Sequence, residues 1–386
     1  MERHRILAAI ALVVSSVLAE GQKLAVRVHP EKPTSPLGEA VFVLVELTNV
    51  SSSIVEFADD GQCTQSFKPL FFFKRRIRDN LYGCAGGGTA GSCAGSFVEL
   101  KPSEKLSHRY LLPDGLEPED AGDFDYTLQT QIRFYASDGS HEVIDQQEVS
   151  ETFTIHAVKA SQSRIEADYV ALVADLQSRD AMQYWLAVSA ITEHPQPFLE
   201  PVILKLSHEP QTMGISVTGL QKLGTDRAKQ RMGELTGSTY KESLRQRATT
   251  GLAELGDTAY CQVMLQLMNL RQGYTSEIAA RGAGLLCGEK AIPKLASLLR
   301  EPKNFPSYEI AYALGNTGSR TAVPILIELL GDADVRRAAS EALYTLTHRQ
   351  SNSDDPAAER QNWVSWWALQ GKTAQIFDPT ECPLMY

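Results

Sequence analysis

Ser307-Tyr308-Glu309-Ile310-Ala311-Tyr312-Ala313-Leu314-Gly315-Asn316-Thr317-Gly318, followed by Thr321-Ala322-Val323-Pro324-Ile325-Leu326-Ile327-Glu328-Leu329-Leu330, reads as two amphipathic helices joined through a glycine. Apolar residues recur at three- and four-residue spacing in both halves. Proline stands near a helix start, where its missing N–H does no harm. The same punctuation returns upstream: Gly224, Gly256 and Gly288 are 32 residues apart, and Gly318 follows 30 later. Each closes a leucine-rich stretch, as in Thr250-Gly251-Leu252-Ala253-Glu254-Leu255-Gly256. Each is followed by a small residue opening the next helix: Ala228, Ala259, Ala291 or Ala322. Thr192, after Leu186-Ala187-Val188-Ser189-Ala190-Ile191, carries the interval one step earlier. A period of this size predicts five stacked helical hairpins forming a solenoid, in which no unit buries its apolar side without a neighbour.

At 386 residues the chain is long enough for two or more packed units. Arg3 and Arg5 before the apolar run Ile6 to Val14, then Val17-Leu18-Ala19 before Glu20, read as a cleaved secretory leader over 1–19. An uncleaved anchor is the alternative. The expected compartment is periplasmic or extracellular, and no later stretch has the length of a membrane span. The net charge of −10 argues against nucleic acid and anionic membrane surfaces as partners.

Residues 20–158 are expected to form a β-sandwich. Candidate strands are Leu24 to Val28, Val41 to Leu47, Ile54 to Phe57, Pro69 to Ile77, Ser96 to Leu100, Leu106 to Leu112, Tyr126 to Tyr135 and Glu148 to Val158. The continuous apolar run Val41 to Leu47 predicts a strand covered on both faces. Leu37-Gly38-Glu39-Ala40-Val41 leading to Leu47-Thr48-Asn49 resembles the opening of exported immunoglobulin-like domains. Leu100-Lys101-Pro102-Ser103-Glu104 to Pro113, then Gly122 to Tyr126, continues that resemblance.

Helix is expected from about Arg164, giving a repeat region over 159–350. The hairpin at 307–330, followed by Asp332-Ala333-Asp334-Val335-Arg336-Arg337-Ala338-Ala339, resembles the HEAT repeat in the short-hairpin form also found in phycobilisome lyase-like proteins. Ala291-Ile292-Pro293-Lys294-Leu295 repeats its second-helix opening. The resemblance covers roughly 165–350 and is strongest from 276 onwards. It implies bridging of neighbouring units by Asp332, Asp334, Arg336 and Arg337. It transfers no activity, since fold likeness does not carry a site with it. Glycines 214, 219, 233 and 237 weaken the pattern in the second unit. A C-terminal segment, 351–386, is expected to close the stack with a helix whose Trp363, Trp366 and Trp367 share one face.

Chemistry-bearing motifs are few. Gly86-Gly87-Gly88-Thr89-Ala90-Gly91 matches a dinucleotide fingerprint in letters, but the residues after it read as a strand, and the fingerprint needs a helix there. Gly91-Ser92-Cys93-Ala94-Gly95 mimics a nucleophile elbow in the wrong, all-β context. The His residues have no metal-ligand spacing, so no catalytic, metal or cofactor residues are assigned. Asn49-Val50-Ser51 is a glycosylation acceptor if the source is eukaryotic.

Six cysteines follow the leader: Cys63, Cys84, Cys93, Cys261, Cys287 and Cys382. Cys84 and Cys93 flank the glycine loop, and stacking could bring Cys261 and Cys287 together. Buried free thiols are the alternative.

The expectation is a non-catalytic scaffold binding a protein partner on the solenoid. Polar positions on the second helices supply candidate contacts: Lys229, Gln230, Gln262, Gln266, Lys294, Ser297 and Glu328. Two readings compete with it. In one, the sandwich recognises a protease, glycan or envelope component, with Phe71, Phe73 or Tyr82 exposed. In the other, an enzyme site lies where the domains join.

Overall fold

The computed structural model describes residues 22–59, 72–75, 96–112, 121–138, 140, 142–270, 273–300, 305–349, 355–371 and 373–377. The leader, the glycine loop, Phe71, Tyr82, Cys63, Cys84, Cys93 and Cys382 lie outside these, as does the side chain of Phe73. The described residues form two compact units, one β and one helical, dividing at Ile165/Glu166 except that Asp180–Met182 group with the β unit.

The β unit contains β1 Leu24–Pro30, β2 Ser35–Pro36, β3 Phe42–Asn49, β4 Val55–Asp59, β5 Phe72–Arg75, β6 Ser96–Leu100, β7 Lys105–Leu111, β8 Gly122–Tyr135 and β9 Val143–Val158. One sheet runs β1-β3-β7 and the other β2-β9-β8-β4-β6, with β5 also on β8. Pairing is antiparallel except for β2 with β9. Leu24, Val43, Val45, Leu47, Phe57, Leu128, Ile132, Phe134 and Ile155 belong to one core shared by the two sheets. β3 corrects the expectation of a strand covered on both faces. Its burial alternates, with Val43, Val45 and Leu47 inside and Leu44, Glu46 and Thr48 only half-buried.

Two amides close one end of this sandwich. Leu24 and Asn49 are register partners on β1 and β3. Gln147 on β9 accepts from the N–H groups of Lys23 and Leu24, both at 3.1 Å, and donates to the Leu24 carbonyl at 2.7 Å. Asn49, 1% exposed, donates from Nδ2 to the carbonyls of Ser53 and of Leu100 on β6, both at 2.8 Å. Its Oδ1 accepts from the Ser51 amide and hydroxyl. Both amides bridge the sheets where buried backbone would otherwise go unpaired. This corrects the glycosylation reading of Asn49, whose amide nitrogen is buried and bonded, not presented as a surface acceptor must be.

The helical unit contains α1 Gln162–Asp175, α2 Ala181–Glu193, α3 Glu200–Leu206, α4 Met213–Leu223, α5 Asp226–Leu235, α6 Glu242–Glu254, α7 Cys261–Leu267, α8 Tyr274–Cys287, α9 Ile292–Leu299, α10 Ser307–Gly315, α11 Ala322–Leu329, α12 Arg336–Thr347 and α13 Pro356–Gln370. First helices stack in succession, α4 on α6, α8, α10 and α12. Each second helix packs on the next first helix: α3 on α4, α5 on α6, α7 on α8, α9 on α10 and α11 on α12.

The periodic glycines explain the turns. Gly224, Gly256, Gly288 and Gly318 all have positive φ, at 61°, 67°, 54° and 59°. A residue with no Cβ takes this left-handed conformation without strain, which ends a helix and redirects the chain. Thr192 keeps the interval without the role. It lies inside α2, fully buried, with its hydroxyl donating to the Val188 carbonyl at 2.8 Å.

Candidate functional site

The first helices of the last three hairpins present one continuous strip. Tyr274, Glu277 and Arg281 lie on one face of α8 by their three- and four-residue spacing. α10 adds Tyr308, Glu309 and Tyr312, and α12 adds Arg337, Glu341 and Tyr344. Beneath the strip is a buried ion pair. Arg281 and Glu309 are 8% and 5% exposed. The guanidinium donates from Nε to Glu309 Oε2 at 2.5 Å and from a terminal nitrogen to Oε1 at 2.9 Å. Its plane also lies over the Tyr312 ring, 4.7 Å from the centroid. Paired in this bidentate way, the two charges hold α8 to α10; losing one partner would strand the other in a dry site.

The ladder continues upward. Tyr312 donates to Glu341 at 2.8 Å, and Glu341 accepts from Arg337 at 2.9 Å. Burial, then the hydrogen bond to Glu341, pushes the Tyr312 phenol up. Burial also raises the Tyr308 phenol, followed by the charges of Glu309 and Glu277.

Small residues let these helices approach. A Cβ on Gly284 would lie 2.1 Å from the Ala313 carbonyl oxygen, so α8 and α10 meet backbone to backbone at this point. On this rigid frame three rings stand in water: Tyr274, Tyr308 and Tyr344, exposed by 69%, 43% and 46%.

The residues singled out from sequence fall in several places. Gln230, Gln262, Gln266, Ser297 and Glu328 are exposed on the second helices. Lys229 and Lys294 are engaged with neighbouring units. Lys229 bonds Asp257 at 2.6 Å, which holds the lysine above and the aspartate below their usual ranges. Lys294 bonds Asn269 at 2.5 Å. Cys261 and Cys287 are joined as a disulfide with a Cα–Cα distance of 5.0 Å, tying α7 to the end of α8. Trp363 on α13 is 1% exposed, and Trp366 and Trp367 are half-buried. Arg349 lies over the first two indoles, at 5.6 and 5.2 Å. Arg320 bonds the carbonyls of Gly371 and Ala374, and Phe377 stacks on His348 with centroids 3.7 Å apart.

The charged cluster 332–337 differs from its expected bridging role. The Asp334 amide bonds Asp332 Oδ1 at 3.0 Å and Arg337 pairs within its own helix, so contact with α10 passes through Glu341 instead. Among the described residues, no trio of His, Cys, Asp or Glu converges in metal-binding geometry, and no helix is long and apolar enough to cross a membrane.

Sequence reasoning missed the strip because it looked for contacts on the second helices. A signal was available in Tyr308 and Tyr312, four residues apart and too polar to be a seam.

The family described as HEAT repeats matches residues 271–347, about a fifth of the chain and the very segment that carries the strip. No curated protein matches. Among solved structures, the chain is similar to a mutant Salmonella alpha-2-macroglobulin at 10% identity and a TM-score of 0.21. That alignment covers 92% of this chain and 27% of the other, so the chain spans about a quarter of that protein's length. A likeness this slight carries no argument.

Proposed function

We propose that this chain is a non-catalytic interaction scaffold, exported by a leader that is then cleaved, that binds a protein partner through its helical repeats. The carrying observation is the strip on α8, α10 and α12, where exposed tyrosines stand on stacked helices, α8 joined to α10 by a buried ion pair and α10 to α12 by the Tyr312–Glu341 hydrogen bond. Rigid aromatic rings give large contact area at little entropic cost, which is why tyrosine is enriched at binding hot spots. The disulfide suits an oxidising compartment. Affinity capture from the native source tests the reading. The parent chain should retain one stoichiometric protein, and a Tyr274→Ala, Tyr344→Ala double variant should retain at least tenfold less. Equal capture by both would refute the proposal.

The sandwich supplies a second reading with its own observation. Phe97, Val143 and Ile144 are exposed by 39%, 46% and 59%, and Phe97 meets Tyr135 edge-on at 4.9 Å. Loss of the captured protein on Ile144→Glu, with no loss in the tyrosine variant, would favour it.

A further inference from the structure

We infer that the partner presents a basic side chain, lysine or arginine, to a notch formed by Tyr274 and Glu277 on α8 and Tyr308 on α10. This rests on the scaffold reading and names the chemistry the strip recognises. At the notch two carboxylates, Glu277 and Glu309, face one guanidinium. Arg281 is committed to Glu309 by both of the bonds described above. Glu277, half-buried, makes no hydrogen bond or ion pair among the described residues and keeps only a longer-range attraction to Arg281.

Each acid sits in the first turn of its helix, where the free amide groups favour negative charge. Yet the Glu277 carboxyl is still held above the usual carboxylate range, by burial first and the Glu309 charge second, against the pull of Arg281. Arg281, already bonded twice to Glu309, does not offset that burial and repulsion. Two exposed rings belong to the same opening turns, Tyr274 at 69% on α8 and Tyr308 at 43% on α10, and the Glu277 charge acts on the Tyr308 phenol. A carboxylate beside aromatic faces holds ammonium and guanidinium groups by a charge-assisted hydrogen bond together with attraction to the ring quadrupole. An apolar or acidic group placed there would leave Glu277 uncompensated and further desolvated. The chain's net charge of −10 draws basic partners at longer range.

The test uses the full oxidised chain and a fluorescent hexalysine peptide, read by anisotropy at about 0.15 M salt so that diffuse attraction is screened. Glu277→Gln should weaken binding about tenfold and Tyr274→Ala about threefold, in line with a charge-assisted bond and a cation–π contact. Asp226→Asn, which removes an exposed acid on α5, should leave binding unchanged. The inference is overturned if Glu277→Gln binds as tightly as the parent, if Asp226→Asn weakens binding equally, or if a hexaglutamate peptide binds as well. Tyr274 is exposed, so its truncation keeps the fold and the test survives any instability of the Glu277 variant. Peptide binding reads the notch and native capture reads the scaffold, so the two fail separately.

Discussion

The two units hold themselves together across very different distances along the chain. In the helical unit the decisive contacts join near neighbours: Arg281 with Glu309, 28 residues apart, and Cys261 with Cys287, 26 apart. In the sandwich, Gln147 closes on Lys23 and Leu24 from 124 and 123 residues away. A repeat propagates by local contact, whereas a sandwich is complete only when its ends meet. Damage to one helical contact should therefore stay within a hairpin and its neighbours, while damage to a closing amide should loosen a whole sheet end.

The largest expected effect comes from Arg281→Met, which leaves Glu309 buried and unpaired and should cost about 3–5 kcal/mol. All four tryptophans (185, 363, 366 and 367) lie in the helical unit, so urea unfolding followed by tryptophan fluorescence reports that unit alone. Unchanged fluorescence midpoints would break the comparison. Next, replacing Cys261 and Cys287 together by Ser should cost about 3–4 kcal/mol in the same assay, the loop entropy released to the unfolded chain. Third, Asn49→Ala strands the Leu100 and Ser53 carbonyls and should cost about 2 kcal/mol. That loss should appear as faster amide exchange in β3 and β6, with tryptophan midpoints unmoved.

The smallest effect concerns Glu277. A carboxyl whose folded pKa is raised binds its proton more tightly when folded, so folding is weakened as pH rises through the interval between the unfolded and folded values. Glu277→Gln should be more stable than the parent above that interval by less than about 1 kcal/mol, given partial exposure. The two should converge at pH 3. A Gln variant less stable at neutral pH would show that the carboxylate serves the fold and not a partner.

Much of the helical unit was legible in the sequence because its rule is local. Glycine at a left-handed position leaves a mark every 30 to 32 residues, and the Cys261–Cys287 pairing follows once hairpins stack. Strand positions were also readable from alternation, with β6 at Ser96–Leu100 as expected. The closing amides were not. Gln147 carries no pattern of its own, and Asn49 sits inside a triplet that reads as a surface modification signal. The tyrosine strip was hidden for a similar reason. Whether Tyr308 faces water depends on how closely α8 and α10 approach, and that is set by Gly284 against Ala313, a contact between two helices that neither sequence states alone.

The crosslink between Cys261 and Cys287 also bears on how the array would respond to being stretched. A pull on the two ends of the helical unit could draw out the residues on either side, but the 26-residue span inside the covalent loop would be withheld. At roughly 3.5 Å per residue, about 90 Å of slack stays stored until a reductant cuts the bond. Oxidation thus fixes the unit's maximum reach, and reduction would lengthen it in a single step.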